Sequence, residues 1–296
     1  MPLNITSGTL SAKGFGFTNK PFFNFVSTIS SNTTSYNLAT AATAAGWNGV
    51  TPIKANITIN SGVTVSGTGT GTSAAFVING IAATSQITIN NNGTVVGSGG
   101  ATGYNTTNGG STGYPGNPTS VTPITWTNNV YGTGYPIGPG AGGSNPGYNY
   151  FSGGTSPNAG AGTAGGSALY LASNVYLTIN NSATGLFTGG GGGASGMAGN
   201  NAGAPAGSNG GYLIEETGSH PAVIANNISG GILASGGGAS GGWGNRFDGD
   251  GIGGRPGYPG LNYNYGSSGI SPGLATNNTS NTLVNTTGTF TLSPAV

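Results

Sequence analysis

The sequence predicts an all-β, partly irregular protein in which short β-strand repeats lead into glycine-rich segments, with little or no α-helix. Three observations support this class: a phrase of alternating apolar and polar residues recurs, 63 of the 296 residues are glycine, and only 3% are charged. Glycine in regular structure costs roughly 0.5–1 kcal/mol relative to alanine, because it loses the most backbone freedom. Dense packing must therefore offset the glycine content.

The recurring phrase predicts the strands. It reads "NITINSGVTVSGTG" from Asn56, "QITINNNGTVVGSGG" from Gln86, "YLTINNSATGLFTGGGGG" from Tyr176 and "VIANNISGGILASGGGASGG" from Val223, with a shorter echo, "LVNTTGTFTLSPAV", at the end. Alternation with β-branched residues is typical of half-buried strands. The Asn-Asn-Gly and Asn-Ser-Gly steps between apolar pairs tolerate positive φ, so each phrase is interpreted as strand, tight turn, strand. Such repeats indicate stacked units that bury a shared apolar stripe.

Glycine-rich sequence follows each phrase, as in "GSGGATGYNTTNGGSTGYPG" from Gly97 and "GGGGGASGMAGNNAGAPAG" from Gly189. It lacks the strict Gly-X-Y period of collagen. It is compatible with a flexible linker or with extended polyproline-II-like strands that pack closely and hydrogen-bond to one another. We favour the second interpretation, a polyglycine-II bundle anchored by the strands, because it accounts for the glycine content.

The N-terminal region differs in composition from the rest. Residues 1–54 hold three of the five Lys and Arg residues, together with "GFGF" and "PFFNF". The best helix candidate, "NLATAATAAGW" from Asn37, is weak because of its Thr and Gly content. We expect an N-terminal attachment module at 1–54 and a repeat-containing, glycine-rich domain at 55–296.

Composition disfavours several partners and cofactors. The net charge is +1, without a cluster of basic residues, and no charged residue lies between 55 and 214. The chain therefore has no electrostatic footprint for nucleic acid or for an anionic membrane. No apolar stretch is long enough for a transmembrane helix, and the first residues do not resemble a secretory signal. Without cysteine there is no disulfide or thiolate chemistry. We expect no membrane insertion and no cofactor, and either a cytoplasmic protein or part of a particle released by lysis.

Candidates for catalysis and metal binding are few. A glycosidase needs two carboxylates about 5–9.5 Å apart, and Glu216 with Asp248 is the pair that could supply them; a surface turn is the favoured interpretation. His220 has no second histidine or cysteine for a zinc site and is interpreted as a loop residue. The stretch "DGDGIGG" from Asp248 has a partial similarity to calcium loops, with salt bridges of Asp248 and Asp250 to nearby arginines as the alternative. We expect no enzyme and assign no metal site.

Aromatic residues concentrate in two glycine-rich stretches. Large rings among Ser, Gly and Asn are typical of binding loops, because they offer rigid contact area at small entropic cost. The alternative is that the rings cover the edges of the glycine bundle. The first cluster comprises Tyr104, Tyr114, Trp126, Tyr131, Tyr135, Tyr148, Tyr150 and Phe151. The second also holds arginines and aspartates, and Arg with Trp and Tyr marks interface hot spots. It supplies the predicted receptor-binding residues Trp243, Arg246, Phe247, Asp248, Arg255, Tyr258, Tyr263 and Tyr265.

An Ile-Asn-Asn repeat that runs into polyglycine, as in "LTINN" followed by "GGGGGASG", resembles the receptor-recognising adhesins at the tips of long tail fibres in T-even-like bacteriophages, and related glycine-rich tail-fibre proteins of marine and cyanobacterial phages. The resemblance covers about 56–273. It implies a sandwich of polyglycine-II helices with variable distal loops that bind an outer-membrane protein or a glycan, joined to the fibre by an N-terminal module. It places 189–193 and 236–238 in the bundle core, and 200–208 and 243–265 in exposed loops.

These observations predict a non-enzymatic bacteriophage virion protein, a tail-fibre adhesin that binds a host-cell receptor. Expected partners are other virion or tail-fibre proteins, through the N-terminal region, and a host surface protein or glycan; a homo-oligomer is compatible. The alternatives are a structural virion protein, such as a capsid decoration or fibre component, and a glycine-rich extracellular filament protein without receptor binding.

Overall fold

The computed structural model describes residues 22–100, 163–192, 209–218, 220–221, 223–228 and 231–236, and the backbone of the strands at 124–126, 135–137 and 283–285. Within these residues, strands dominate and the single α-helix is short. The prediction of an all-β fold with very little helix is therefore confirmed.

Three parallel sheets form the body of the protein, and we call them sheets I, II and III. Sheet I contains β1 (Phe23–Ile29), β4 (Ile53–Ile59), β7 (Gln86–Asn91), β12 (Tyr176–Asn181), β15 (Val223–Asn227) and β17 (Leu283–Asn285). Sheet II contains β2 (Thr33–Thr34), β5 (Thr64–Ser66), β8 (Thr94–Val96), β13 (Leu186–Thr188) and β16 (Ile232–Ala234). Sheet III contains β3 (Tyr36–Asn37), β6 (Phe76–Ile78), β11 (Leu169–Leu171) and β14 (Ile214–Glu216). A separate antiparallel pair joins β9 (Ile124–Trp126) to β10 (Tyr135–Ile137).

The chain visits sheets I, II and III in turn and then returns to sheet I, so that each circuit forms one coil of a parallel β-solenoid. Each strand pairs in parallel with the equivalent strand of the next coil, as β4 does with β7 and β7 with β12. The two strands of one recurring phrase therefore do not pair with each other. The turn between them leads from sheet I to sheet II, which differs from a hairpin.

Alternation along sheet I produces columns of buried aliphatic side chains. In β4 the buried positions recur at every second residue. Ile57 is opposite Ile89, which is opposite Ile179, and all three are fully buried. A buried side chain of this size contributes about 1.5–3 kcal/mol. The shared apolar stripe that the repeats indicate is thus the interior of the solenoid.

The asparagines of the phrases have a different role from the one predicted. Among the described residues of these turns, only Gly62 has a positive φ. Asn91, Asn181 and Asn227 instead end their strands and are buried. The Asn91 amide donates to Oδ1 of Asn181 at 2.7 Å, and the Asn181 amide donates to Oδ1 of Asn227 at 2.8 Å. The repeated asparagine is therefore a hydrogen-bonded column inside the corner between sheets I and II.

The N-terminal region forms the first coil of the same solenoid. Helix α1 (Leu38–Ala44) occupies the connection from sheet III back to sheet I, and Oδ1 of Asn37 caps it by accepting from the Thr40 N–H at 3.0 Å. The best helix candidate in the sequence is thus helical. Strand β1 pairs with β4 along its whole length, and the predicted domain boundary after residue 54 falls inside β4. The attachment role of 1–54 stays a prediction.

Candidate receptor-binding site

Three long segments interrupt the solenoid, and all of them leave at the end of a sheet II strand. The first lies between β8 and β11, at 97–168, and the second between β13 and β14, at 189–213. The third follows β16 and runs from 235 to the start of β17. Because β8, β13 and β16 are stacked in parallel, their ends lie above one another at one edge of the solenoid. Three consecutive coils thus project their inserted sequence from the same corner.

The described ends of the insertions are rich in glycine, and we call them the stems: 97–100, 163–168, 189–192, 209–213 and 235–236. Their backbones are hydrogen-bonded to one another. Gly166 donates its N–H to the carbonyl of Ser98 at 2.7 Å, and Gly190 donates to the carbonyl of Gly166 at 2.8 Å. Gly211 donates to Gly190 at 2.7 Å, and Gly236 donates to Gly211 at 2.9 Å. Each of these bonds joins a segment that leaves the solenoid to a segment that returns to it. One continuous chain of bonds therefore ties the roots of all three insertions together.

These stems approach so closely that a side chain could not fit between them. A Cβ built on Gly190 would overlap the carbonyl of Ser98, and one built on Gly166 would overlap the carbonyl of Gly69. Equivalent overlaps with backbone atoms occur at the other stem glycines, Gly97, Gly165, Gly189, Gly211 and Gly236. Residues 189–192 and 236, predicted to lie in a glycine core, are buried here. Backbone packing and hydrogen bonding thus offset the cost of these glycines, whereas polyglycine-II geometry stays a prediction.

The predicted receptor-binding residues lie outside the described residues. Trp243, Arg246, Phe247, Asp248, Arg255, Tyr258, Tyr263 and Tyr265 all belong to the segment between Gly236 and β17. The structure gives the place where that segment begins, next to Gly211 and Gly190. The 200–208 loop and the side chains of the first aromatic cluster also lie outside the described part.

Glu216 lies on strand β14, and not in the surface turn that was expected, and its neighbour Glu215 lies on the same strand. Oε2 of Glu215 accepts hydrogen bonds from the Gly71 N–H at 2.7 Å and from the Ser167 hydroxyl at 2.6 Å. Glu216 is buried, and Asp248, its suggested catalytic partner, lies outside the described residues. Glu215 therefore acts as a brace between coils, which sequence reasoning missed because no repeated phrase marks β14.

His220 lies in the connection from β14 to β15, in agreement with its interpretation as a loop residue. It is only 8% exposed, and its Nδ1 is 2.9 Å from the carbonyl of Ser173. A carbonyl can only accept, so Nδ1 carries the proton and donates. His220 thus links the connection of one coil to the equivalent connection of the coil before it.

Helix α1 is far too short to cross a bilayer, and the described residues contain no long apolar helix that could do so. The candidate site is the corner of the solenoid from which the three insertions leave through glycine-rich segments.

Comparison with known proteins gives one family. Residues 24–154 match the family described as phage tail fibre adhesin Gp38. The match runs from β1 through β8 and into the first insertion, so it includes the first glycine stem. It overlaps the expected range from 56 onward and also takes in 24–55, for which the sequence suggested no relative. Neither the curated proteins nor the solved structures give a match. The predicted resemblance to phage tail-fibre adhesins is thereby confirmed for residues 24–154, which are similar to that family.

Proposed function

We propose that the protein is a virion-associated adhesin of a tailed bacteriophage, and that its inserted segments bind a receptor on the host surface. The observation that carries this proposal is the common origin of the three insertions at one corner of the solenoid. Two of them contain the clusters of Tyr, Trp and Phe, and a shared base would hold these rings on one side of the molecule. A rigid base that fixes the positions of these rings reduces the conformational entropy that is lost on binding.

The glycine stems supply the rigidity in this proposal. We infer that the backbone packing seen at Gly166, Gly190 and Gly211 continues into the insertions as polyglycine-II strands. Such strands pack through their backbones and need no side chains to form a rigid bundle. In this proposal, the large side chains of the insertions are therefore available for recognition. The role is one of binding rather than catalysis, as the adhesin family implies.

The experiment is host adsorption of phage particles that carry Trp243→Ala and Tyr258→Ala. We expect assembled particles whose adsorption rate falls at least tenfold, because interface hot spots of this kind each contribute about 2 kcal/mol or more. Tyr176→Ala is the matched control, since this ring is 55% exposed and lies on sheet I, away from the insertions. Unchanged adsorption of the double variant would contradict the receptor assignment and favour a structural role in the fibre.

The first coil is the proposed site of attachment to other tail-fibre proteins. Among the described residues, β1 is the terminal strand of sheet I; Val26 on this strand is 80% exposed, and Phe22, just before it, is 38% exposed. An exposed apolar patch at the end of a sheet is typical of a docking surface. We expect Val26→Lys to fold normally but to be depleted from purified particles, as measured by quantitative mass spectrometry. Wild-type incorporation would contradict this part of the proposal.

A further inference from the structure

The outer face of sheet I carries a second feature, which the three-residue strands of sheet II separate from the insertions. Asn90, Asn180 and Asn226 are aligned in successive coils, because Asn90 is opposite Asn180 and Asn180 is opposite Asn226. Together with Ser182 and Ile228 of the following turns, they line an open cleft with a volume of about 400 Å³. The cleft lies at the corner between sheets I and II, whereas the insertions leave between sheets II and III.

The amides in this cleft are ordered but retain hydrogen-bonding capacity. The Asn90 amide donates to Oδ1 of Asn56 at 2.7 Å and accepts from the Asn180 amide at 2.9 Å. Asn180 in turn accepts from the Asn226 amide at 2.7 Å. A carboxamide has two N–H donors and two acceptor positions. Asn90 and Asn180 therefore each keep one donor and one acceptor position, held in a fixed orientation by the column.

The rest of the lining is uncharged, and Ile228 is the one apolar residue among the residues that line the cleft. Ile228, directly after β15, is 56% exposed. The described lining contains no acidic or basic side chain. The lining offers no cationic partner that would strengthen binding of a phosphate or carboxylate, and no anionic or aromatic partner for an ammonium group, so it favours a neutral ligand with hydroxyl groups.

We propose that this cleft binds a neutral oligosaccharide that lies along the solenoid axis. The free N–H and carbonyl positions of Asn90 and Asn180 would bond to adjacent hydroxyl groups, and Ile228 would contact the C–H face of a sugar ring. Parallel strands repeat every 4.7–4.9 Å, so the column offers the same amide pair to successive sugars. This site is separate from the aromatic insertions and does not depend on their role.

The test is a glycan array that carries neutral, sialylated and phosphorylated bacterial polysaccharides, probed with the full-length protein. We expect binding to neutral glycans, and at least a tenfold loss of affinity for the best of them, measured by titration calorimetry, in Ile228→Asp and in Asn180→Asp. Ile228 is exposed, so its variant should fold even if Asn180→Asp does not. Asn24→Asp is the matched control, because Asn24 is an exposed residue of the same sheet on strand β1.

Three results would overturn the proposal: no binding to neutral glycans, binding to charged glycans alone, or wild-type affinity in Ile228→Asp. Trp243→Ala separates this site from the proposed receptor site. If Trp243→Ala abolishes glycan binding and Ile228→Asp does not, the glycan belongs to the insertions, which contradicts the cleft but supports the receptor site. If host adsorption survives Trp243→Ala while glycan binding is lost in Ile228→Asp, the cleft stands and the receptor assignment fails.

Discussion

The side-chain amide of Asn91 donates to Oδ1 of Asn181 and so points toward the later coils, whereas the amide of the adjacent Asn180 donates to Oδ1 of Asn90 and points toward the earlier ones. We call Asn91, Asn181 and Asn227 the inner column, and Asn90, Asn180 and Asn226 the outer column. The backbone fixes the direction in which the amides of the inner column point, because the Gly93 N–H donates to Oδ1 of Asn91 at 3.2 Å and the Asn181 amide donates to the Gly185 carbonyl at 3.0 Å. The inner and outer columns of amide dipoles thus oppose each other across the sheet. The inner column is structural, and the outer one keeps capacity for a ligand.

Asn181→Ala should lower the free energy of unfolding by about 3 kcal/mol. The change removes bonds to Asn91, Asn227 and the Gly185 carbonyl inside a buried corner, and each buried group left without a partner costs about 1–3 kcal/mol. Urea unfolding monitored by circular dichroism measures the effect. Asn92→Ala is the control, since this side chain is exposed and should change stability by less than about 0.5 kcal/mol. Equal effects of the two changes would show that the inner column does not stabilise the fold.

Gly190→Ala should destabilise the protein by about 3 kcal/mol or prevent soluble expression. The added methyl group would overlap backbone atoms of Ser98, which cannot move aside as a flexible side chain can. Gly69→Ala is the matched change, because there the methyl group would meet only the Cβ of Ser73, at 3.3 Å. The melting temperature of each variant measures the difference. A Gly190→Ala variant as stable as Gly69→Ala would contradict the close packing of the stems.

Tyr36→Phe should reduce the loss of stability in alkaline solution. Burial raises the pKa of Tyr36 above its usual 10.0, and the hydrogen bond to Ser27 offsets part of that increase. Since the folded protein holds this proton more tightly than the unfolded chain, the contribution is complete below about pH 10 and is lost as pH rises through the folded-state pKa. Phenylalanine keeps the ring packing against Phe76, whose centroid is 4.9 Å away. Unfolding free energies measured from pH 8 upward should fall less steeply for the variant, and identical slopes would contradict the assignment.

The strands of the repeated phrases could be predicted from sequence, but their pairing could not. Alternation at Ile57 and Ile59 marks a strand with one buried face, whichever strand lies beside it. The pairing of Ile57 with Ile89 depends on how whole coils stack, and a local sequence pattern carries no information about that stacking. The three-residue strands of sheet III, such as Leu169–Leu171 and Ile214–Glu216, carry too few residues for a period to be visible. Three sheets were therefore not foreseen, although stacked repeats were.

The candidate site could also be predicted only in part from the sequence. Close packing of the glycine run at 189–193 was predicted because it would offset the entropy cost of so many glycines. The backbone contacts at Gly190 agree with close packing, whereas the polyglycine-II geometry stays a prediction. The buried role of Asn181 was missed, since asparagine beside glycine also fits a turn. The aromatic residues from Trp243 to Tyr265 stay a prediction, because the described structure ends at the root of their segment.

Glu215→Ala should lower the free energy of unfolding by about 2–3 kcal/mol, because hydrogen bonds to a charged group contribute about 1.5–3 kcal/mol. Its carboxylate accepts from the Gly71 N–H in one coil and from the Ser167 hydroxyl in the next, so one side chain connects three layers of sheet III at the corner where the insertions begin. Glu215→Gln keeps an acceptor oxygen without the charge and should lose about half as much. A double-mutant cycle with Ser167→Ala isolates the shared bond, and we expect a coupling energy of at least about 1 kcal/mol from urea unfolding. Additive effects of Glu215→Ala and Ser167→Ala would show that the two side chains do not interact, and the brace would then have to be assigned to Gly71 alone.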